Sequence, residues 1–206
     1  CYTCHRGKNV PKGIWFNRPP NARARQAVGD RAGQNYPDPV VGLASLPGDP
    51  YERFLAGEQG IRVVSTDDLP NGNRKSIKQA EGTYALMMHF SQSLGVNCTH
   101  CHNSRSMAEW KTSPPARAQA WYGIRMVRDA NNNYITPLDS EWPDYRRGPT
   151  GDGPKLSCNT CHQGAPKPLL GQSMLTTYPE LAMAKPQPQK TVVPEPTPAE
   201  AGEGSG

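Results

Sequence analysis

The stretch Cys158-Asn159-Thr160-Cys161-His162 decides how the rest of the chain is read, because its pattern occurs twice more: as Cys98-Thr99-His100-Cys101-His102 and as Cys1-Tyr2-Thr3-Cys4-His5. Cys-x-x-Cys-His is the attachment motif of c-type haem. Two thiols three positions apart bond the two vinyl groups on one edge of a porphyrin, and the imidazole of the next residue ligates the iron from the proximal side. The three copies use all 6 cysteines of the chain and three of its 5 histidines. The spacing therefore predicts thioether bonds at Cys1, Cys4, Cys98, Cys101, Cys158 and Cys161, and proximal ligation by His5, His102 and His162. Three covalently attached haem c groups follow.

Each competing reading of the cysteines leaves something unexplained. Three disulfides give no reason for a His after every second Cys. A zinc site assembles two Cys-x-x-Cys knuckles at short separation, whereas these pairs lie far apart and the third His has no role. A thioredoxin-like motif sits near a βαβ pattern, and no such pattern is found.

The 206 residues suffice for one domain and a tail. Only 35% are hydrophobic, mean hydropathy is -0.74, and 22 Pro with 20 Gly exceed ordinary usage, so little of the chain can be regular core. Three porphyrins would supply the missing apolar mass, and the apo-chain is expected to be unfolded or molten. Covalent haem places a protein outside the bacterial cytoplasm, although the chain shows no signal peptide and no apolar run of membrane-spanning length. The net charge of +5 is mild, with positive residues crowded toward the front. Arg6, Lys8, Lys12, Arg18, Arg23, Arg25 and Arg31 lack interleaved aromatics, which argues against nucleic acid and for a solvated or partner-facing surface.

Because the chain starts on Cys1, which cannot carry both lipid and haem, it is expected to be a fragment of a longer coding sequence. Residues 6 to 70 are dense in Gly, Pro and Asn with isolated aromatic anchors; they are read as extended loop, with a helical turn only at Pro50 to Ala56. From Ser76, paired with Gln79 as a capping box, the spacing of Ile77, Ala80, Tyr84, Met87 and Ser91 predicts a helix that Gly95 stops. A second helix is predicted from Ser113 as N-cap and Pro114 at the first position to about Ala130, with Ala118, Tyr122 and Met126 on one face and Asn131-Asn132-Asn133 ending it. Residues 136 to 157 return to Pro and Gly. The expected domain spans residues 1 to 183. The tail, residues 184 to 206, is Pro/Glu/Gly-rich and expected to be disordered.

Gly164, Pro166, Lys167 and Pro168 after His162 echo Gly7, Pro11 and Lys12 after His5, whereas His102 is followed by Asn103. The first and third motifs thus form equivalent members of a repeat and the second the opposite member. An alternating pattern that begins on the second type of member lacks its first, which implies a fourth haem upstream. The fold class expected is mainly α with extensive irregular loop, haems being packed against short helices.

The residues now carry a resemblance. Leu86-Met87-Met88, Ser93-Leu94-Gly95-Val96, Cys98 to Asn103, Ala120-Trp121-Tyr122-Gly123-Ile124-Arg125, Val127-Arg128-Asp129 and Cys158 to Gln163 closely resemble the cytochrome subunit of purple-bacterial photosynthetic reaction centres, over residues 1 to about 183. The resemblance implies four c-type haems in the full-length subunit, docked on the reaction centre L and M subunits at the periplasmic face of the photosynthetic inner membrane. It implies a relay from a soluble cytochrome c or high-potential iron-sulfur protein to the photo-oxidised special pair. Carried over by position, Cys1, Cys4 and His5 would serve the second haem, Cys98, Cys101 and His102 the third, nearest the special pair, and Cys158, Cys161 and His162 the fourth. Met87 matches the distal ligand of the third. For the fourth two ligands compete: Met126, which stands where some relatives have His and where repeat symmetry places a distal ligand, and a His upstream of Cys1.

His89 and His100 are not needed by the pattern and are read as surface or propionate contacts; Met107, Met174 and Met183 as packing or surface residues. Arg125 and Arg128 either neutralise propionates or line an exposed helix face. The function implied is electron transfer and not enzymatic turnover, Met thioether favouring reduced iron over a second imidazole. The rival, a multihaem reductase or peroxidase, needs an open iron beside acid–base groups, and no cluster of spare His and carboxylates appears. A generic periplasmic shuttle shares the chemistry and differs only in partner.

Overall fold

The computed structural model describes residues 1–17, 50–63 and 77–182. The helical periodicity that starts near Ser76 becomes the longest helix. In chain order the α-helices are α1 (Tyr2–His5), α2 (Ile77–Leu94), α3 (Ala116–Asp129) and α4 (Cys158–His162). A π-helical turn, Glu52–Ala56, falls where a helical turn is expected. Among the described residues there is no β-strand, only isolated bridges at Trp15–Lys155 and Asn103–Ser106. The architecture is helical with long irregular connections, as the composition predicts.

The chain divides into two compact units, Cys1–Gly171 and Gln172–Gly206. In the second, the described residues form two 3₁₀ turns, Met174–Thr176 and Pro179–Ala182; Leu175 and Leu181 within them and Tyr178 between them are exposed. The predicted disordered tail and the Ser76 cap lie outside the described residues.

The core of the first unit gathers Trp15, Tyr51, Phe54, Leu55, Leu86, Ile124 and Val127, with Met87, Phe90, Leu156 and Cys158 packed partly against it. Helix α2 turns Ala85, Leu86, His89 and Ser93 inward and leaves Tyr84 out. Gly95, at φ +65°, ends it as predicted, because only a residue without Cβ adopts the left-handed region at no cost. Trp15 and Lys155 exchange both backbone hydrogen bonds at 2.9 Å, and the Trp15 indole donates to the Leu156 carbonyl at 2.7 Å. The segment after the first motif is thereby fastened beside the third.

Two boundaries differ from expectation. Ser113 is not the N-cap of α3: its hydroxyl donates to the Glu109 carbonyl at 2.6 Å and accepts from Arg117 at 2.7 Å, and the N-cap position belongs to Pro115. Nor does the Asn run stop the helix. Helix α3 widens into a π-helical turn, Ala130–Ile135, followed by a 3₁₀ turn, Thr136–Glu141. The wider turn accommodates Asn131, fully buried, whose amide bonds to Leu55 and Leu156, while Asn132 donates to Ala56 and Asn133 to Asp129. Tertiary partners outweigh the turn propensity of the three asparagines.

Candidate haem-attachment site

The first and third motifs fold alike and the second differently, which is the grouping the repeat predicts. In α1 and α4 the residue after the motif histidine takes a left-handed conformation, Arg6 at φ 46°, ψ 46° and Gln163 at φ 50°, ψ 44°. Gly7 and Gly164 follow, at φ +78° and +88°. Those two positive-φ residues turn the chain back so that the Nδ1–H of His5 donates to the Lys8 carbonyl at 2.8 Å and that of His162 to the Ala165 carbonyl at 2.9 Å. The middle motif is a 3₁₀ turn, Cys98–His100, closed by the Asn103–Ser106 bridge, and its His102 Nδ1–H donates to the Met107 carbonyl at 2.7 Å.

A carbonyl oxygen only accepts, so in all three rings the proton sits on Nδ1. The lone pair is left on Nε2, the arrangement a metal-ligating imidazole takes when its other nitrogen is tied to the backbone. Three thiol pairs, each followed by an Nε2-presenting histidine, fit the demands of covalent haem. No two of the six cysteines are joined in a disulfide. Among the described residues no three His, Cys, Asp or Glu side chains converge on a metal site, whereas structural zinc needs four ligands together.

Helix α4 is set in place from both sides. Ser157 is its N-cap: the Asn159 N–H donates to the Ser157 hydroxyl and the Ser157 N–H donates to the Thr160 hydroxyl at 2.9 Å. This reciprocal cap satisfies helix-end donors. Both hydroxyls donate onward to the Gly13 carbonyl, at 2.6 and 2.9 Å. Gly13 sits at φ +71° against the α4 backbone, where a Cβ would lie 2.7 Å from the Asn159 carbonyl carbon.

The first and third motifs also face each other. The sulfurs of Cys4 and Cys161 are 3.2 Å apart. Arg6 donates to the Cys161 carbonyl at 3.0 Å, and reciprocally Gln163 donates to the Cys4 carbonyl at 3.3 Å. The contact between the Cys4 and Cys161 sulfurs holds Cys4 below the usual thiol range and, with burial, pushes Cys161 above it. Burial also raises Cys101, against the opposing charge of Arg117, and Cys158.

The remaining candidates separate. Met87 is half-buried beside the core, one helical turn before Ser91, on the edge of α2 away from His89. Met126 is 62% exposed and Tyr122 67%, on the face of α3 opposite the buried Ile124 and Val127. That apolar stripe finds no cover among the described residues. His89 is not at the surface: it is 2% exposed, within hydrogen-bond distance of the Tyr51 and Ser93 hydroxyls, and burial lowers its pKa to about 4. Its place on the inward face of α2 between Leu86 and Ser93 is the physical reason. His100 is exposed. Arg128 is tied down, donating to the Phe54 carbonyl at 2.7 Å and lying 5.7 Å from the Trp121 ring centre, whereas Arg125 is exposed.

Sequence reasoning missed Arg6 and Gln163, whose partners are more than 150 residues away. It also missed Ser157 and Thr160, for which a signal existed: Ser-x-x-Thr straddling the start of a motif helix.

The sequence model of a family described as "Photosynthetic reaction centre cytochrome C subunit" matches residues 1–182. The chain is 54% identical over 185 residues to the photosynthetic reaction center cytochrome c subunit of Rubrivivax gelatinosus, covering 89% of this chain and 50% of that protein. It is 48% identical over 182 residues to the subunit of Thermochromatium tepidum, covering 88% and 44%. To that of Roseobacter denitrificans it is 40% identical over 188 residues, covering 88% and 50%. The chain thus spans about half the length of the curated relatives it matches.

Proposed function

Because the chain belongs to the photosynthetic reaction centre cytochrome c subunit family, we propose that it is an electron relay to the reaction centre, built on three covalently bound haem c groups. The observation that carries this reading is shared by all three motifs: each motif histidine donates Nδ1–H to a backbone carbonyl and presents Nε2. When bound, haem c supplies one-electron chemistry, its iron alternating between ferrous and ferric. The chain's own residues fix, orient and bias that group. Cys1 with Cys4, Cys98 with Cys101, and Cys158 with Cys161 would anchor it, and His5, His102 and His162 would ligate its iron.

Met87 would supply a thioether ligand to the haem held at Cys98 to His102. A thioether favours reduced iron more than a second imidazole does and so raises the potential. Met126 is the candidate for the haem at Cys158 to His162, since the exposed Tyr122 and Met126, on the same face as the half-buried Ala118, offer an apolar helix face for a porphyrin to cover. The alternative there is an upstream histidine.

The full subunit carries a fourth haem, sits at the periplasmic face against the L and M subunits, and receives electrons from a soluble cytochrome c or high-potential iron-sulfur protein. No described helix is long and apolar enough to cross a membrane. The protein carries electrons and turns over no substrate.

Flash spectroscopy on membranes containing the intact complex tests the relay. A single flash should oxidise the haem at Cys98 to His102 first as the special pair is re-reduced. Re-reduction at an undiminished rate in a Cys98→Ala, Cys101→Ala variant would overturn it.

A further inference from the structure

We propose that Arg6 sets the redox potential of the haem attached at Cys158, Cys161 and His162, by placing a fixed positive charge across the interface between α1 and α4. The inference deepens the haem reading above and rests on it.

The two motif helices are joined by reciprocal links: the residue after His5 reaches the carbonyl of Cys161, and the residue after His162 reaches the carbonyl of Cys4. Both start from the same left-handed conformation. The symmetry breaks at one point, the charge: Arg6 carries a cation to the third motif, whereas Gln163 carries a neutral amide to the first. Arg6 also lies within 3.4 Å of the His162 carbonyl, so it caps the last carbonyls of α4 at the backbone of the proximal ligand itself.

No described side chain cancels that charge. Among the described residues no carboxylate pairs with Arg6, and its Nε is buried without a hydrogen-bond partner. A guanidinium does not deprotonate in a protein. Oxidation adds one positive charge at the iron, and a fixed cation in a partly desolvated site opposes it, which stabilises the ferrous state. Gln163 exerts no such field on the first motif. The Arg6/Gln163 difference therefore makes the third-motif haem the stronger electron acceptor of this facing pair.

The test uses the haem-loaded full-length subunit, titrated by potentiometry in the visible bands, with haem content measured in parallel as the pyridine haemochrome. Arg6→Gln should favour oxidation of the third-motif haem about tenfold, equivalent to 59 mV for one electron, and leave the haem at Cys98 to His102 unmoved. Arg6→Lys, which keeps the charge and loses the planar fork, should stay near the parent. Gln163→Arg should shift the first-motif haem upward. Unchanged potentials in Arg6→Gln at full haem content would overturn the inference, as would an equal drop in Arg6→Gln and Arg6→Lys, which would mean that packing acts and not charge. If Arg6→Gln fails to load haem, Gln163→Arg decides alone: no upward shift refutes it. Absence of covalent haem from the parent protein would instead refute the haem reading.

Discussion

Asn131 and Leu156 bond to each other in both directions: the Leu156 N–H donates to the Asn131 amide oxygen at 2.7 Å, and the Asn131 amide nitrogen donates to the Leu156 carbonyl at 3.0 Å. The same nitrogen donates to the Leu55 carbonyl at 2.9 Å. One buried side chain thereby ties the end of α3 to the π-helical turn Glu52–Ala56 and to the strand-like approach to α4.

Asn131→Ala leaves the Leu156 N–H and the Leu55 carbonyl short of a partner, each costing about 1–3 kcal/mol, while the Leu156 carbonyl keeps the Trp15 indole. Chemical denaturation of the haem-loaded protein should show a loss of about 3 kcal/mol or more. A loss below about 0.5 kcal/mol, the range of ordinary surface changes, would show that this tie does not hold α4 in place.

Gly13→Ala meets two obstacles at once, a left-handed φ and the rigid α4 backbone at 2.7 Å. The strain of the left-handed conformation alone is about 1–2 kcal/mol, and the clash adds to it by displacing the carbonyl that receives Ser157 and Thr160. The melting temperature should fall, and less haem should be retained at Cys158 and Cys161 than at Cys98 and Cys101. Equal retention at both motifs would contradict the arrangement.

Asp152 supplies a pH dependence. Burial alone would raise its pKa, but the Asn17 N–H at 2.8 Å and then Lys155 and the Thr150 hydroxyl hold it below its ordinary 3.8. A carboxyl depressed in the folded state contributes stability that is present above 3.8 and lost as pH falls through the lower folded value. Asp152→Asn should cost about 2 kcal/mol at neutral pH, and the two proteins should converge below pH 3.8. A constant gap down to the acid limit would assign the loss to packing.

The two methionines make separable spectroscopic predictions. Met87→Leu should open an axial position, so that the reduced haem at Cys98 to His102 binds carbon monoxide; no carbon monoxide difference spectrum would make Met87 a packing residue. Met126→Leu should remove a Met/His signal from low-temperature electron paramagnetic resonance of the full-length protein. A bis-His signal for the haem at Cys158 to His162, unchanged in the variant, would give that position to an upstream histidine.

What the sequence made legible was local. The haem motifs, the two long helices, the Gly95 stop and the helical turn near Pro50 depend on neighbours a few residues apart, and all could be placed from spacing. The equivalence of the first and third motifs was visible in the glycines that follow them, because those glycines make the turn that brings a carbonyl to each Nδ1. What failed depended on distant partners. The three asparagines look like a terminator until Leu55 and Leu156 are seen to claim Asn131. His89 looks dispensable until Tyr51 arrives from outside the helix to bury it, and nothing in Arg6 or Gln163 announces that each reaches the other's motif.

The most direct test of the central claim is the covalent haem content of this chain after maturation in a cytochrome c-producing host, read by pyridine haemochrome and by mass spectrometry of peptides spanning each motif. The account predicts three haems per chain, each resisting acid-acetone extraction, with every Cys-x-x-Cys-His peptide carrying one. Haem that extracts freely, or a motif peptide whose two cysteines remain unmodified thiols, would contradict it.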